Sequence, residues 1–242
     1  MNLATQNKGA IRILTLNRPE KRNALDTALS RALLGALRAA DGDETVRCVV
    51  LTGAGPAFCA GADLSEFKGL SDPQAAETRA ELTMQLHLAF SKMVTPVVTA
   101  INGPAMGGGA GLAIAGDLAV MAQGAKLGYP ETKHGIVAAI VMANLVRQVG
   151  RKAAFELVAL GEPIDAKRAL ALGMVNRVVT KASLMKAALA LAAQLAAVSK
   201  PAMAQTKALF HEVADLPLER ALERGRDANK RMRNFQKLDD GA

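Results

Sequence analysis

The sequence predicts an α/β protein in which a core of alternating strands and helices is followed by a helical tail. Strand and helix patterns alternate over about the first two-thirds of the 242 residues, and the last third shows helical patterns alone. Half of the residues are hydrophobic but only 3% are aromatic, so small aliphatic side chains must fill the core. This length suits one large domain with a small appendage. We place the core domain at residues 1–180 and the helical region at residues 181–242.

Apolar runs that end at Gly, Pro or Asn predict the strands of this core. The predicted strands are residues 11–16, 46–52, 97–101, 118–122 and 125–128. Apolar residues at helical spacing predict the helices, the first with Asp26 as its N-cap. The predicted helices are residues 26–40, 74–93, 109–115, 140–149, 151–160, 165–172 and 182–198, one that opens at Pro201, and one that runs from Pro217 to about residue 235.

Composition and charge restrict the possible classes of function. The net charge of +8 could attract nucleic acid or the phosphates of a small nucleotide. The chain has no nucleic-acid motif and few aromatic residues to stack on bases, which argues against nucleic acid. The two cysteines, Cys48 and Cys59, form no disulfide framework, so we expect a reducing, cytoplasmic setting. We expect no membrane span and no metal site, because Cys and His are few and scattered.

Two glycine-containing loops follow predicted strands and are the main candidates for chemistry. Residues 57–64 follow one strand, and residues 102–109 follow another and open a helix. The free N–H groups at a helix N-terminus favour a negatively charged oxygen, and Gly61 can direct its neighbours' N–H groups outward. Either loop alone is typical of a tight turn. Together, two such loops could place two donors on one oxyanion.

Five segments carry a resemblance to a known family. They are LNRPEKRNAL at 16–25, AFCAGADL at 57–64, INGPAMGGGAGLAIAGDLAV at 101–120, LGYPETKHGI at 127–136 and GEPIDAKRALALGMVNRVV at 161–179. They resemble the crotonase (enoyl-CoA hydratase/isomerase) superfamily, and the likeness covers nearly the whole chain. It implies the ClpP/crotonase-like fold of repeated ββα units with a helical C-terminal trimerisation region. It also implies an acyl-CoA substrate, no further cofactor, and a homotrimer or hexamer.

The same resemblance assigns roles to individual residues. The backbone amides of Ala62 and Gly108 would form an oxyanion hole, and Glu131 would be the acid–base residue. Gly111 stands where hydratases of the family commonly have a second glutamate. Six residues would bind the coenzyme: Lys21, Arg22, Ala24, Ala60, Asp63 and Leu64. For the charged members of this group, an ordinary surface role is a comparable reading.

Three functions remain open from the sequence. We favour a hydratase that adds water across the 2,3 double bond of an enoyl-CoA. An enoyl-CoA isomerase that moves a proton from C2 to C4 needs only one carboxylate and is the first alternative. A non-catalytic protein that binds acyl-CoA or RNA is the second, suggested by the basic charge. His87 and His134 are weaker candidates for the acyl end of the site, and Cys59 has no histidine partner to activate it.

Overall fold

The computed structural model describes residues 1–66 and 72–232 and contains two sheets within those residues. The larger sheet has six strands in the order β1-β2-β3-β4-β6-β9, and the smaller has three in the order β5-β7-β8. The larger sheet consists of β1 (Leu3–Lys8), β2 (Ile11–Leu16), β3 (Cys48–Gly53), β4 (Val97–Ile101), β6 (Leu118–Ala122) and β9 (Arg177–Val179). The smaller sheet consists of β5 (Ala105–Met106), β7 (Lys126–Gly128) and β8 (Ile164–Asp165).

Helices connect the strands and then form the tail. They are α1 (Thr27–Asp41), α2 (Pro73–Lys92), α3 (Gly108–Ala115), α4 (Ala139–Val149), α5 (Arg151–Leu160), α6 (Ala166–Ala171), α7 (Leu184–Ala197), α8 (Lys200–Val213) and α9 (Leu218–Met232). Asp26 caps α1 by accepting a hydrogen bond of 2.6 Å from the Leu29 N–H, as predicted. The last residues of the predicted final helix lie outside the described residues.

The central strands are parallel and buried, which explains their continuous apolar sequences. β1 pairs with β2 antiparallel, and β2, β3, β4, β6 and β9 then pair in parallel. Every residue of β4 is buried, as are the first five of β3. Strands covered on both faces lose the apolar–polar alternation of a half-exposed sheet. The predicted strands 11–16, 97–101 and 118–122 are confirmed to the residue.

The first helix of the tail belongs to the packing of the core. α7 contacts β2, β3, β4 and β6, and it buries Leu184, Ala188, Leu191 and Ala192. α8 is attached by Lys207, whose ammonium lies 2.8 Å from the Asp117 carboxylate and 3.2 Å from the Thr95 carbonyl oxygen. The division of the chain into a core domain and a helical region at residue 180 remains a prediction.

The described helices are short or interrupted by polar residues. Over residues 1–66 and 72–232, no single helix is long and apolar enough to cross one. Residues Lys181–Ala197 and Lys200–Val213 reach that length and composition only as a pair, and a bend of 106° separates them.

Candidate active site

Two loops meet at the ends of neighbouring parallel strands and are joined by backbone hydrogen bonds. β3 and β4 run side by side, so the segments that follow them leave the sheet at the same edge. The Phe58 N–H donates to the Pro104 carbonyl at 3.1 Å, and the Met106 N–H donates to the Cys59 carbonyl at 2.9 Å. Leu25 adds a short parallel bridge to Ala62 on the other side. These bonds fix the two loops in register with each other.

The register brings the Ala62 and Gly108 amides close together. A Cβ atom built on Gly61 would lie 3.5 Å from the Gly108 nitrogen, and one built on Gly108 would lie 3.9 Å from the Ala62 nitrogen. In the part of the chain that the structure describes, neither N–H donates to a protein acceptor. Gly108 is the first residue of α3, where an N–H has no partner within the helix. Two unpaired donors therefore lie close to each other.

Glycine is required at the two positions that shape this pair of amides. Gly61 has φ +94°, and a Cβ atom there would lie 2.7 Å from the Met106 carbonyl oxygen. Gly107 has φ +52°, and a Cβ atom there would lie 2.6 Å from Glu131 Oε1. Both positions combine a backbone conformation that disfavours side chains with a close approach of other atoms. The glycines thus allow the two loops and Glu131 to pack against one another.

Glu131 reaches the site through the smaller sheet. β5 pairs with β7, the Gly107 N–H donates to the Gly128 carbonyl at 2.8 Å, and the 3-10 helix Pro130–His134 follows directly. The carboxylate is half-buried, and within residues 1–66 and 72–232 its Oε2 atom has no hydrogen-bond partner. Burial raises the pKa of Glu131, although a backbone hydrogen bond and the charge of His134 oppose that rise. A carboxyl group with a raised pKa is suited to exchanging protons near neutral pH.

The space around position 111 is filled by two other side chains. A Cβ atom built on Gly111 would overlap Val141 Cγ1 and lie 2.7 Å from His87 Cε1. Gly111 lies one helical turn after Gly107, because its N–H donates to the Gly107 carbonyl at 2.9 Å. His87 and Val141 therefore occupy the space in which a side chain at position 111 would begin.

Comparison with known proteins identifies the family. The family model described as enoyl-CoA hydratase/isomerase matches residues 6–241. The chain is a member of that family. A curated relative from Thermus thermophilus, provisionally named as an enoyl-CoA hydratase, is 40% identical over 237 residues, which cover 97% of this chain and 93% of the relative. A Rhizobium meliloti relative with a similarly provisional name is 36% identical and covers 91% of this chain and 85% of its own.

Solved structures agree with this assignment. An enoyl-CoA hydratase from Mycobacterium smegmatis superposes with a TM-score of 0.91 at 33% identity, covering 95% of this chain and 90% of that one. One from Bacillus anthracis has a TM-score of 0.91 at 29% identity and covers 99% and 96%. The predicted crotonase fold is confirmed, and the protein is an enzyme of the enoyl-CoA hydratase or isomerase type.

Within this enoyl-CoA hydratase/isomerase family member, several predicted coenzyme-binding residues lie on one exposed edge of the loops. Lys21, Arg22, Ala60 and Leu64 are exposed, and the Ala60 N–H donates to the Arg22 carbonyl at 2.9 Å. Arg22 has a left-handed conformation with φ +51°. The structure thus brings two cations beside the loop that carries Ala62. Their contact with a coenzyme stays a prediction.

The other two predicted coenzyme-binding residues, Asp63 and Ala24, are buried. The Asp63 carboxylate accepts hydrogen bonds from Arg18 at 3.0 Å and from the Ser65 hydroxyl at 2.6 Å. The Ser65 hydroxyl, followed by the guanidinium of Arg18, lowers the pKa of Asp63 to about 2 although burial acts against this. The Ala24 carbonyl accepts a hydrogen bond of 2.6 Å from the Arg18 guanidinium. These contacts hold the loop in place, and the N–H groups of both residues also donate within the protein, Ala24 to the Lys21 carbonyl and Asp63 to the Leu25 carbonyl.

Sequence reasoning missed Asn23. Asn23 is fully buried at φ +58°, accepts from the Arg18 N–H, and donates to the carbonyls of Ala54 and Ala57. Asn23 thus links the turn at Arg18 to the start of the loop that carries Ala62. In the sequence it stands between two charged residues and two apolar ones, a setting that does not predict a buried polar side chain. Burial raises the pKa of the Cys59 thiol to about 12, which disfavours the thiolate form that a nucleophile requires.

Proposed function

We propose that the protein is an enoyl-CoA hydratase that adds water across the 2,3 double bond of a CoA thioester. The observation that carries this proposal is the pair of unengaged amides, Ala62 and Gly108, beside the carboxylate of Glu131. The names of the relatives from Thermus thermophilus and Mycobacterium smegmatis support the same activity. The enzyme would use no cofactor beyond the coenzyme A that its substrate carries.

The amides would supply most of the electrostatic stabilisation. When water attacks C3, the electrons of the double bond move toward the thioester, and negative charge develops on its oxygen. Two preorganised N–H donors from Ala62 and Gly108 stabilise that enolate, and one such donor is typically worth about 2.7–4 kcal/mol in the transition state. Because both donors belong to the backbone, their positions are fixed by the loops before substrate binds.

Glu131 would handle the protons on both sides of the double bond. In its ionised form it takes a proton from the attacking water as the new bond between oxygen and C3 forms. It then delivers that proton to C2 as the enolate collapses. The oxygen and both hydrogens of one water molecule end on the product, and the carboxylate is regenerated. The raised pKa of Glu131 suits both halves of this exchange.

The isomerase reading is supported by one specific observation, the glycine at position 111. A shift of the double bond between C3 and C2 needs one base to carry a proton between C4 and C2, and Glu131 alone satisfies that need. Loss of the 2-enoyl absorbance of crotonyl-CoA would demonstrate hydration. Its appearance from a 3-enoyl-CoA would demonstrate isomerisation. We expect the protein to hydrate crotonyl-CoA faster than it isomerises a 3-enoyl-CoA.

The Glu131→Gln variant tests whether the site is catalytic at all. The amide has nearly the same shape but carries no exchangeable proton of the required acidity, so activity should fall by at least about 100-fold. If wild type and variant process a broad enoyl-CoA panel equally poorly, both enzymatic readings fail. A salt-sensitive RNA complex would then support the non-catalytic alternative.

We also propose that the active form is a homotrimer or hexamer located in the cytoplasm. Large apolar side chains are exposed on α8 and α9, including Phe210, Leu218 and Leu222 at 66%, 75% and 65% exposure. An exposed apolar surface of this kind on a tail helix favours contact with another subunit. Light scattering should give three or six times the chain mass of 25.2 kDa. A monomeric mass would contradict the proposal.

A further inference from the structure

His87 lies beside the candidate active site although it is far from it in sequence. It is carried by α2 and is only 6% exposed. Its Cε1 atom, which joins the two ring nitrogens, is the ring atom that approaches Gly111 of α3. The imidazole therefore presents its nitrogen-bearing edge to the helix turn next to Gly107 and Glu131.

The two ring nitrogens of His87 are the polar atoms of interest here. Both Nδ1 and Nε2 are buried and unpaired among the described residues. Burial lowers the pKa of His87 to about 4, so the ring is neutral near pH 7. A neutral imidazole has one N–H donor and one acceptor nitrogen. Buried polar groups nearly always find partners, so an unpaired pair of nitrogens calls for an explanation.

The ring also borders a cavity of about 480 Å³ lined by residues of α2, α3, α4 and α8. Lys207 and Asp117, the two charged groups of that cavity, are paired with each other at 2.8 Å. Among the described residues, no polar group of the cavity bonds either His87 nitrogen. A bound molecule could therefore supply the partner that the ring lacks.

We propose that His87 hydrogen-bonds the water molecule that attacks C3, in the region where the family's second carboxylate is missing. This inference rests on the hydratase function proposed above. The hydrogen bond forms when the enoyl-CoA is bound, since catalytic hydrogen bonds are often incomplete in the free enzyme. His87 orients the water and exchanges no proton overall. One water proton still passes through Glu131 to C2, and the hydroxyl oxygen bonds to C3.

The His87→Phe variant separates this role from a packing role. Phenylalanine keeps a planar ring and removes both unpaired nitrogens, a change that is commonly neutral or stabilising in a core. We expect the melting temperature to be unchanged or higher. We expect kcat for crotonyl-CoA hydration to fall at least about tenfold, the factor equivalent to one hydrogen bond, with little change in KM. His211→Phe, on α8, is the matched control and should hydrate crotonyl-CoA at the wild-type rate.

A second reaction reports on the rest of the site. The exchange of the C2 protons of butyryl-CoA in D₂O requires Glu131 and the two amides but no water addition. The His87→Phe variant should keep this exchange within about threefold of wild type, because the hydrogen bond to water plays no part in it. Glu131→Gln should abolish it. Hydration and exchange lost together in His87→Phe would instead show a disturbed site and overturn the assignment.

Measurements on the wild-type protein keep the inference testable if His87→Phe does not fold. The chain has three histidines, so ¹⁵N-histidine labelling gives few ring signals to assign. Addition of 3-hydroxybutyryl-CoA, whose hydroxyl occupies the position of the added water, should shift a His87 ring nitrogen. An unshifted His87 signal at saturation would refute the proposal. A wild-type enzyme that fails to hydrate any enoyl-CoA would refute the proposed function itself, whereas normal hydration by His87→Phe would refute only the role of His87.

Discussion

The substitution Gly61→Ala tests the geometry of the two amides directly. A methyl group at Gly61 would lie 2.7 Å from the Met106 carbonyl oxygen and 3.5 Å from the Gly108 nitrogen. To restore normal contact, the loops that carry Ala62 and Gly108 must separate by roughly half an ångström, given usual van der Waals distances. That separation displaces both donors from the position of one oxygen atom. Backbone strain at φ +94° adds about 1–3 kcal/mol of destabilisation.

The expected kinetic loss follows from the value of one oxyanion donor. Removal of such a donor costs about 2.7–4 kcal/mol, so kcat for crotonyl-CoA hydration should fall roughly 100- to 1,000-fold. KM should change little, because the donors act mainly on the charge that develops in the transition state. Stopped-flow or steady-state loss of the 2-enoyl absorbance measures both constants, and calorimetry measures the loss of stability.

Gly9→Ala is the matched control for Gly61→Ala. Gly9 also has a positive φ of +57°, but no atom of the described part of the chain lies within 4 Å of a Cβ atom built there. The control therefore introduces comparable backbone strain without moving the catalytic loops. We expect it to lose stability and keep kcat. If Gly61→Ala retained kcat within about threefold of Gly9→Ala, the oxyanion-hole reasoning would be wrong.

Three further predictions concern the carboxylate, the missing carboxylate and the tail. Burial raises the pKa of Glu131 above the ordinary 4.5, and its ionised form is the active base, so kcat/KM should rise with pH through a midpoint above 4.5; a midpoint at or below 4.5 would contradict this. Gly111→Glu should not increase the hydration rate and should lower the free energy of unfolding by at least about 1–3 kcal/mol, because Val141 and His87 must move to admit the side chain. A stable variant with a higher kcat would contradict this. Lys207→Met removes the ammonium partner of the Asp117 carboxylate and leaves it the Val97 N–H, so the free energy of unfolding should fall by about 3 kcal/mol and the melting temperature by roughly 6–12 °C. An unchanged melting temperature in calorimetry would contradict this.

The central elements of the fold could be predicted because each carries a strong local signal. β4 is a continuous apolar run between Pro96 and Asn102, and α1 opens at a capping aspartate. β1 was missed because its sequence, LATQNK, is mostly polar and exposed, and it is defined only by pairing with β2. β5, β8 and β9 are two or three residues long, which is too short to show periodicity.

The two glycine loops could be found in the sequence, and the side chains around them could not. The loops predicted exposed N–H groups, and the family resemblance then named Ala62 and Gly108 among them. The contact of His87 with Gly111 joins α2 to α3, and no spacing rule connects residues 24 positions apart. Asn23 likewise acts through carbonyls more than 30 residues away. Such contacts are fixed only by tertiary packing.

A crystal structure with a bound enoyl-CoA analogue tests the central claim most directly. The thioester oxygen should lie about 2.7–3.1 Å from both the Ala62 and the Gly108 nitrogen. The Glu131 carboxylate should lie within hydrogen-bond reach of C2 or of a water next to C3. A thioester oxygen that contacts neither amide, or an acyl chain that leaves the site away from Glu131, would contradict the account.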